Sequence, residues 1–355
     1  MPRIQGGEEG CRGERTLGQP GGSAVIAAPA DAIVGTAAAV HDLALADRAA
    51  AAAHAHRRLG STRLRRMRAF VVLARPRQWV KNLLVVAAPA AAGVIVDGDV
   101  PRNVALTFVA FCLLSGGTYA VNDVRDVLED REHPRKRGRP VAAGDLAPGE
   151  ALSAAAVLMI AGLALCLAVR PWLLVVGAGY LAVTLTYSLF WRRIAFVDVG
   201  AIAAGFVLRA VAGGVGAPVP LSKSFLLVVT FGAVFVAAGK RHAELVRPRI
   251  AGDAATAPRR VLAIYTAKRL RLVLVWSSAL AFVAYCVWAL HDPGHLSLWR
   301  ALTLFPFAAG LSRYAVLLGR GAGEAPEQVL LEDPVLRLLA LTWAVIFAMS
   351  VHATG

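Results

Sequence analysis

Asn122, Asp123, Asp126 and Asp130 stand at the end of a long apolar run, and His133-Pro134-Arg135-Lys136-Arg137-Gly138-Arg139-Pro140 follows almost at once. Carboxylates at the edge of a lipid-compatible segment are costly unless something positive faces them. If the helix carrying them continues through Asp130, Asp123 and Asp130 lie two turns apart on nearly one azimuth, with Asp126 and Asn122 on the same stripe. Three carboxylates within about 10 Å of helix rise repel one another until a cation neutralises them, and hard oxygen ligands of this kind suit Mg²⁺. Asp123, Asp126 and Asp130 are therefore the expected metal ligands. Asn122 turns a fourth oxygen-bearing side chain into the same space, and with Asp123 and Asp126 it makes the expected reacting centre. The adjoining basic run supplies what a polyphosphate beside a metal requires, and Lys136 and Arg139 are its candidate ligands. The competing reading is a solvated acidic helix end.

Further polar groups interrupt other apolar segments. Tyr187 and Arg192 close one of them, and Asp198 and Arg209 lie in the next. Their spacing is close to a whole number of turns, so both point into the bundle, about 16 Å apart along the axis. An arginine in lipid marks a site or a buried ion pair. Gly213-Gly214-Val215-Gly216 resembles a nucleotide loop only superficially, because no strand precedes it and no lysine follows; close helix packing explains it better. Lys240, Arg241, His242 and Glu244 form another cluster, for which an i,i+4 Lys240–Glu244 salt bridge is the rival to substrate binding. Lys81 and Asn82 lie deeper than membrane anchors need to be and are candidates for a phosphate.

The elements that must position these residues are membrane spans. The chain has 355 residues, 57% of them hydrophobic, and a mean hydropathy of +0.59, far above what a soluble domain tolerates. Segments of about 20 apolar residues fall near 80–97, 103–121, 151–169, 171–190, 195–213, 221–239, 269–290, 297–318 and 335–353, which predicts an all-α, polytopic, nine-helix transmembrane bundle. Lys and Arg collect in alternate loops: 63–81, 131–139, 192–193 and 240–269. The positive-inside bias makes these cytoplasmic, with the candidate site on the cytoplasmic face of the plasma membrane. The net charge of +15 is spread over membrane-flanking loops, so no nucleic acid is expected as a partner. Cys11, Cys112, Cys166 and Cys286 have no paired spacing, and neither a disulfide nor a zinc site is expected. Residues 1–62 read as a disordered cytoplasmic tail and 63–355 as the catalytic transmembrane domain.

These motifs, in this order, resemble the UbiA superfamily of intramembrane prenyltransferases, whose first Asp-rich motif NDxxDxxxD is matched by Asn122, Asp123, Asp126 and Asp130. The resemblance implies a nine-helix bundle and a second DxxxD motif after the sixth helix. Here that place reads Lys240-Arg241-His242-Ala243-Glu244, with one carboxylate, which departs from the pattern for a prenyl-diphosphate donor. With RPRQWVKN at 75–82, HPRKRGRP at 133–140, RAVAGG at 209–214 and GKRHAEL at 239–245, the chain resembles the branch that transfers 5-phosphoribose from phosphoribosyl diphosphate (PRPP) to decaprenyl phosphate for cell-wall arabinan precursors. That branch implies Mg²⁺, with Lys136, Arg139 and Lys240 or Arg241 on the diphosphate, and Lys81, Arg192 and Arg209 on the 5-phosphate or lipid phosphate. Asn82, Tyr187, Asp198 and Glu244 complete the expected substrate-binding set. Self-association as a homo-oligomer is left open. Transfer of a prenyl chain to an aromatic acceptor is the nearest alternative, and a transporter the alternative from another class.

Overall fold

The computed structural model describes residues 63–352 except 135, 192–193, 252–263, 291–297 and 323–325. The chain divides into two units, Met1–Thr62 and Arg63–Gly355. The first unit, and with it the expected tail, lies outside the described residues. All regular structure among the described residues is helical.

Helix α1 (63–73) is short and basic. Ala69 and Leu73, one turn apart, are its buried residues, and Arg65 and Arg66 tie it to Asp145 (2.6 Å) and Glu150. A turn at Arg75 leads into a 3-10 helix over Pro76–Val86 and then α2 (Ala87–Ala91). After it come α3 (Val100–Arg125), α4 (Val127–Glu132), α5 (Pro148–Val169), α6 (Pro171–Leu189), α7 (Val197–Gly216), α8 (Lys223–Ala251) and α9 (Ala267–Leu290). The last four are α10 (Leu298–Leu302), α11 (Leu304–Gly319), α12 (Pro326–Glu332) and α13 (Pro334–His352).

Among the described residues seven helices are long and apolar enough to cross a membrane, from Val100–Arg125 to Leu298–Gly319, and Pro334–Ser350 is a shorter apolar helix. The first expected span differs from its prediction: in place of an α-helix over 80–97, the chain winds tightly through 11 residues as 3-10 helix and continues for 5 as α-helix. Prolines stand at the start of the 3-10 segment and in the α-helical turn that follows it. Pro76 sets the first turn, and Pro89 lacks the N–H that an α-helix would return to the Val85 carbonyl. The tighter winding has a compensation, since 3-10 helix rises about 2.0 Å per residue. Together the two pieces extend about 30 Å, the thickness of a hydrocarbon core. The nine expected spans therefore resolve into seven full-length helices, one shorter apolar helix and one 3-10 segment.

The most deeply buried span is α3, which packs against α5, α6, α7 and the 3-10 segment. Small residues set these approaches. A Cβ on Gly162 would stand 2.7 Å from a Leu114 methyl, and one on Gly216 would stand 2.5 Å from Thr107 Oγ1. Closest of all, a Cβ on Gly213 would fall 1.9 Å from the carbonyl oxygen of Val85, so α7 lies against the backbone that Pro89 leaves without its α-helical donor. The Gly-rich run is thus a packing surface, as its sequence context suggested. Gly213→Ala should lower stability by about 1–3 kcal/mol or more, read as a fall in thermal midpoint in detergent. Gly200→Ala, which meets nothing within 4 Å, should leave that midpoint nearly unchanged.

Candidate active site

The Asp-rich motif straddles a junction. α3 ends at Arg125, Asp126 turns out of regular helix at φ −93° and ψ 12°, and α4 resumes at Val127. The expectation of one unbroken helix through Asp130 is corrected to this extent. The ladder nevertheless persists: the Asp126 amide donates to Asn122 O at 2.9 Å and the Asp130 amide to Asp126 O at 2.8 Å. The geometric consequence drawn from the spacing therefore survives for two of the three carboxylates. Asp123 and Asp130 are each 1% exposed, and both meet Arg139, whose Nη1 lies 3.2 Å from Asp123 Oδ1 and 2.5 Å from Asp130 Oδ2.

A second guanidinium reaches the same oxygen of Asp123: that of Arg75, which lies over the Tyr119 ring at 5.0 Å. Asp126 and Asn122 are half-buried at the junction, and Lys136 lies beside His133 in the following loop. Burial holds the His133 imidazole below its usual range and the neighbouring Lys136 lowers it further, against the pull of Asp130. His133 is accordingly neutral near pH 7.

The expected metal triad is not gathered. Among the described residues no three His, Cys, Asp or Glu side chains stand close enough to hold an ion, because guanidinium groups occupy the space that Asp123 and Asp130 face. The donor set still fits a hard divalent cation. Two buried carboxylates already share a single positive nitrogen, and an ion taking its place would find oxygen ligands on both sides.

The second cluster forms where α6, α7 and α8 meet. Asp198 and Arg241 are both fully buried. Arg241 Nε lies 2.5 Å from Asp198 Oδ2, out of line for a hydrogen bond, while Nη1 donates to Glu244 Oε2 at 2.5 Å and Nη2 to the Tyr187 hydroxyl at 2.9 Å. Tyr265 donates its hydroxyl proton to Asp198 Oδ1 and accepts from the Phe196 amide at 2.7 Å. Burial and the adjoining carboxylate raise the Tyr265 phenol well above its usual range, so it remains a donor. Tyr187, Asp198, Arg241 and Glu244 are thus brought together as expected, but they satisfy one another. Glu244 takes Arg241, and Lys240 is half-buried one turn before it.

Arg209 makes a third centre, deeper along α7. It is 5% exposed, and its Nε, Nη1 and Nη2 each donate at 2.7 Å, to Asn82 Oδ1, Gly205 O and the Tyr180 hydroxyl respectively. Its guanidinium carbon stands 4.7 Å from the Tyr180 ring and 5.9 Å from that of Phe206. Asn82, fully buried, donates in turn towards Ser115 Oγ and Cys112 Sγ. Asp198 and Arg209 both face inward but do not pair with each other. Lys81 is half-buried and within electrostatic reach of Tyr180, and Arg192 lies outside the described residues.

Sequence reasoning assigned no role to Arg75, Tyr265 or Tyr180. Arg75 was hidden among basic residues explained by topology, and the two tyrosines carry no spacing signal at all.

A bundle of this form, with a buried aspartate motif at one end, is that of an intramembrane transferase. Residues 83–350 match the UbiA prenyltransferase family, and the chain belongs to it. It is 43% identical over 273 residues to a decaprenyl-phosphate phosphoribosyltransferase of Mycobacterium tuberculosis, covering 76% of this chain and 89% of that protein. It is 39% identical to a protein of the same name from Corynebacterium glutamicum, covering 78% and 85%. Its fold is also that of a UbiA homolog from Archaeoglobus fulgidus, solved with GPP and Mg²⁺, at a TM-score of 0.60, 18% identity, and coverage of 80% of this chain and 98% of that one. The chain is a multi-pass membrane protein.

Arg241→Ala should destabilise the fold by about 3–5 kcal/mol, since it leaves Asp198 and Glu244 facing each other in the interior without their cation. Detergent thermal unfolding reads this directly. Adding Asp198→Asn should recover part of the loss, whereas a purely additive double variant would show that the two side chains are not coupled.

Proposed function

We propose that this protein moves 5-phosphoribose from phosphoribosyl diphosphate to a polyprenyl phosphate, decaprenyl phosphate or a close relative, releasing pyrophosphate at the cytoplasmic face of the plasma membrane. The observation that carries the reading is the pair of buried carboxylates, Asp123 and Asp130, sharing Arg139 at the end of α3. The names of the mycobacterial and corynebacterial relatives support it. So does the second cluster: Asp198 and Glu244 enclose a guanidinium, where a second metal-held diphosphate motif would need carboxylates turned outward.

In the transfer, an oxygen of the lipid phosphate forms a bond to ribose C1 as the bond from C1 to the diphosphate breaks, and the electron pair leaves with pyrophosphate. Mg²⁺, when bound, supplies the charge that stabilises this leaving group. Asp123 and Asp130 would hold the cation, with Asp126 at the junction beside them. Arg139 and Lys136 turn to the diphosphate oxygens, and Lys240 lies at the same end of the bundle for the remaining charge. The lipid phosphate is already ionised, so no general base is needed, and none of Ser-His or Cys-His type occurs in the cluster. Arg209 and Asn82 brace each other and take part by shaping the chamber, while Lys81 is the nearer candidate for a phosphate. Residues 63–355 form the catalytic unit, and removal of 1–62 should leave activity intact.

The test supplies membranes containing the protein with labelled phosphoribosyl diphosphate and polyprenyl phosphate, with and without Mg²⁺. Label should enter the lipid phase only with metal. Asp123→Ala or Asp126→Ala should reduce turnover by at least about 10²-fold, the scale of losing one charge-stabilising group, with membrane insertion retained. Consumption of a prenyl diphosphate in place of the sugar donor would transfer the assignment to prenyl transfer.

A further inference from the structure

Arg75 is the one residue at the Asp-rich motif whose backbone and side chain are both constrained. Its φ of +52° and ψ of 62° put a long, Cβ-bearing residue in the left-handed region, which costs of order 1–3 kcal/mol and persists only where the surroundings over-determine it. What holds it is visible on both sides. Behind it, α1 is pinned by Ala69 and Leu73 and by its ion pairs to Asp145 and Glu150. Ahead, Pro76 starts the 3-10 segment. The turn directs the guanidinium onto Asp123 Oδ1, the oxygen that Arg139 Nη1 also approaches at 3.2 Å.

The charges of the four side chains in contact here balance. Asp123 and Asp130 carry two negative charges, and Arg75 and Arg139 two positive. A divalent ion arriving alone would leave the group at plus two in a largely buried setting, which is electrostatically unfavourable. An ion arriving with a diphosphate restores the balance, because the released guanidinium groups then have phosphate oxygens to bind. Resting on the function proposed above, we propose that Arg75 is the resident counter-ion of Asp123. It yields that carboxylate to the metal only as the donor's diphosphate arrives to receive the guanidinium, so that metal and donor load as a unit. Arg75 is a positioning residue in the empty site and a donor-binding residue in the loaded one.

The experiment measures Mn²⁺ binding to the full-length protein in detergent, by electron paramagnetic resonance and without any substrate, for the parent, Arg75→Gln and Arg75→Lys. Loss of the competing charge in Arg75→Gln should tighten Mn²⁺ binding on the order of tenfold, while the donor KM at saturating Mg²⁺ rises and kcat changes less. Arg75→Lys, which keeps the charge and loses the planar fork, should bind Mn²⁺ like the parent and still require more donor. A residue that merely supports the fold would weaken metal binding when replaced. Unchanged or weaker Mn²⁺ binding in Arg75→Gln therefore overturns the proposal. If Arg75→Gln does not fold, tighter Mn²⁺ binding by Arg75→Lys, or an unchanged donor KM in it, overturns it as well. The Mn²⁺ titration involves no transfer reaction, so it gives its answer even if the donor proves not to be phosphoribosyl diphosphate.

Discussion

Charge inside a lipid-embedded bundle must be neutralised by what lies within reach, and the arrangement of this protein follows from how each buried ion meets that demand. Asp123 and Asp130 meet it with Arg75 and Arg139; Asp198 and Glu244 meet it with Arg241. Arg209 has no carboxylate at all and relies on three oxygen acceptors and two ring faces. The contrast separates structure from reactivity. Arg241 has every nitrogen against an oxygen and is wholly buried, so releasing it would strand two carboxylates. Arg75 and Arg139 retain partial exposure, 19% and 26% for their side chains, and a polyanion can compete for them. Two clusters of similar composition are therefore suited to different tasks.

The division also bears on the departure at residues 240–244. A site that binds one diphosphate through a metal needs one set of carboxylates open to exchange. The second set in this chain is closed by an internal guanidinium, which neutralises it without any dependence on ion concentration. Tyr187 and Tyr265 complete the closure, the first accepting from Arg241 and the second donating to Asp198.

Much of this was legible beforehand because hydrophobic length and Asp spacing are local properties. The ends of α5 and α6 fall within three residues of the expected spans, and the convergence of Asp123 and Asp130 follows from helical period alone. The first span was misjudged because hydropathy reports apolarity and not winding: Pro76 and Pro89 were in view, but their joint effect on the hydrogen-bond ladder depends on α7 lying against Val85. Partner choice was the other weakness. Arg209 was set beside Asp198 by axial spacing, yet Asn82 and Tyr180 come from other helices, and no periodicity within α7 can reveal them. Arg75 was read as a topological charge for the same reason, since its partner lies 48 residues away.

The irregular first span links these centres. At its start Arg75 touches Asp123; within it Asn82 accepts from Arg209; near its far end Val85 lies against Gly213. A regular α-helix rises less per residue and advances about 100° per step, against about 120° in 3-10 winding. Over the six steps from Pro76 to Asn82 that difference turns the side chain by about a third of a revolution, so an α-helical segment starting at Pro76 would aim Asn82 away from Arg209. The winding that hydropathy failed to predict is thus what allows one short segment to engage the aspartate motif at the end of α3 and the buried arginine of α7 together. The rigidity of that connection explains how a left-handed residue at position 75 is sustained, since both ends of the segment are fixed by contacts that would be lost if the turn relaxed.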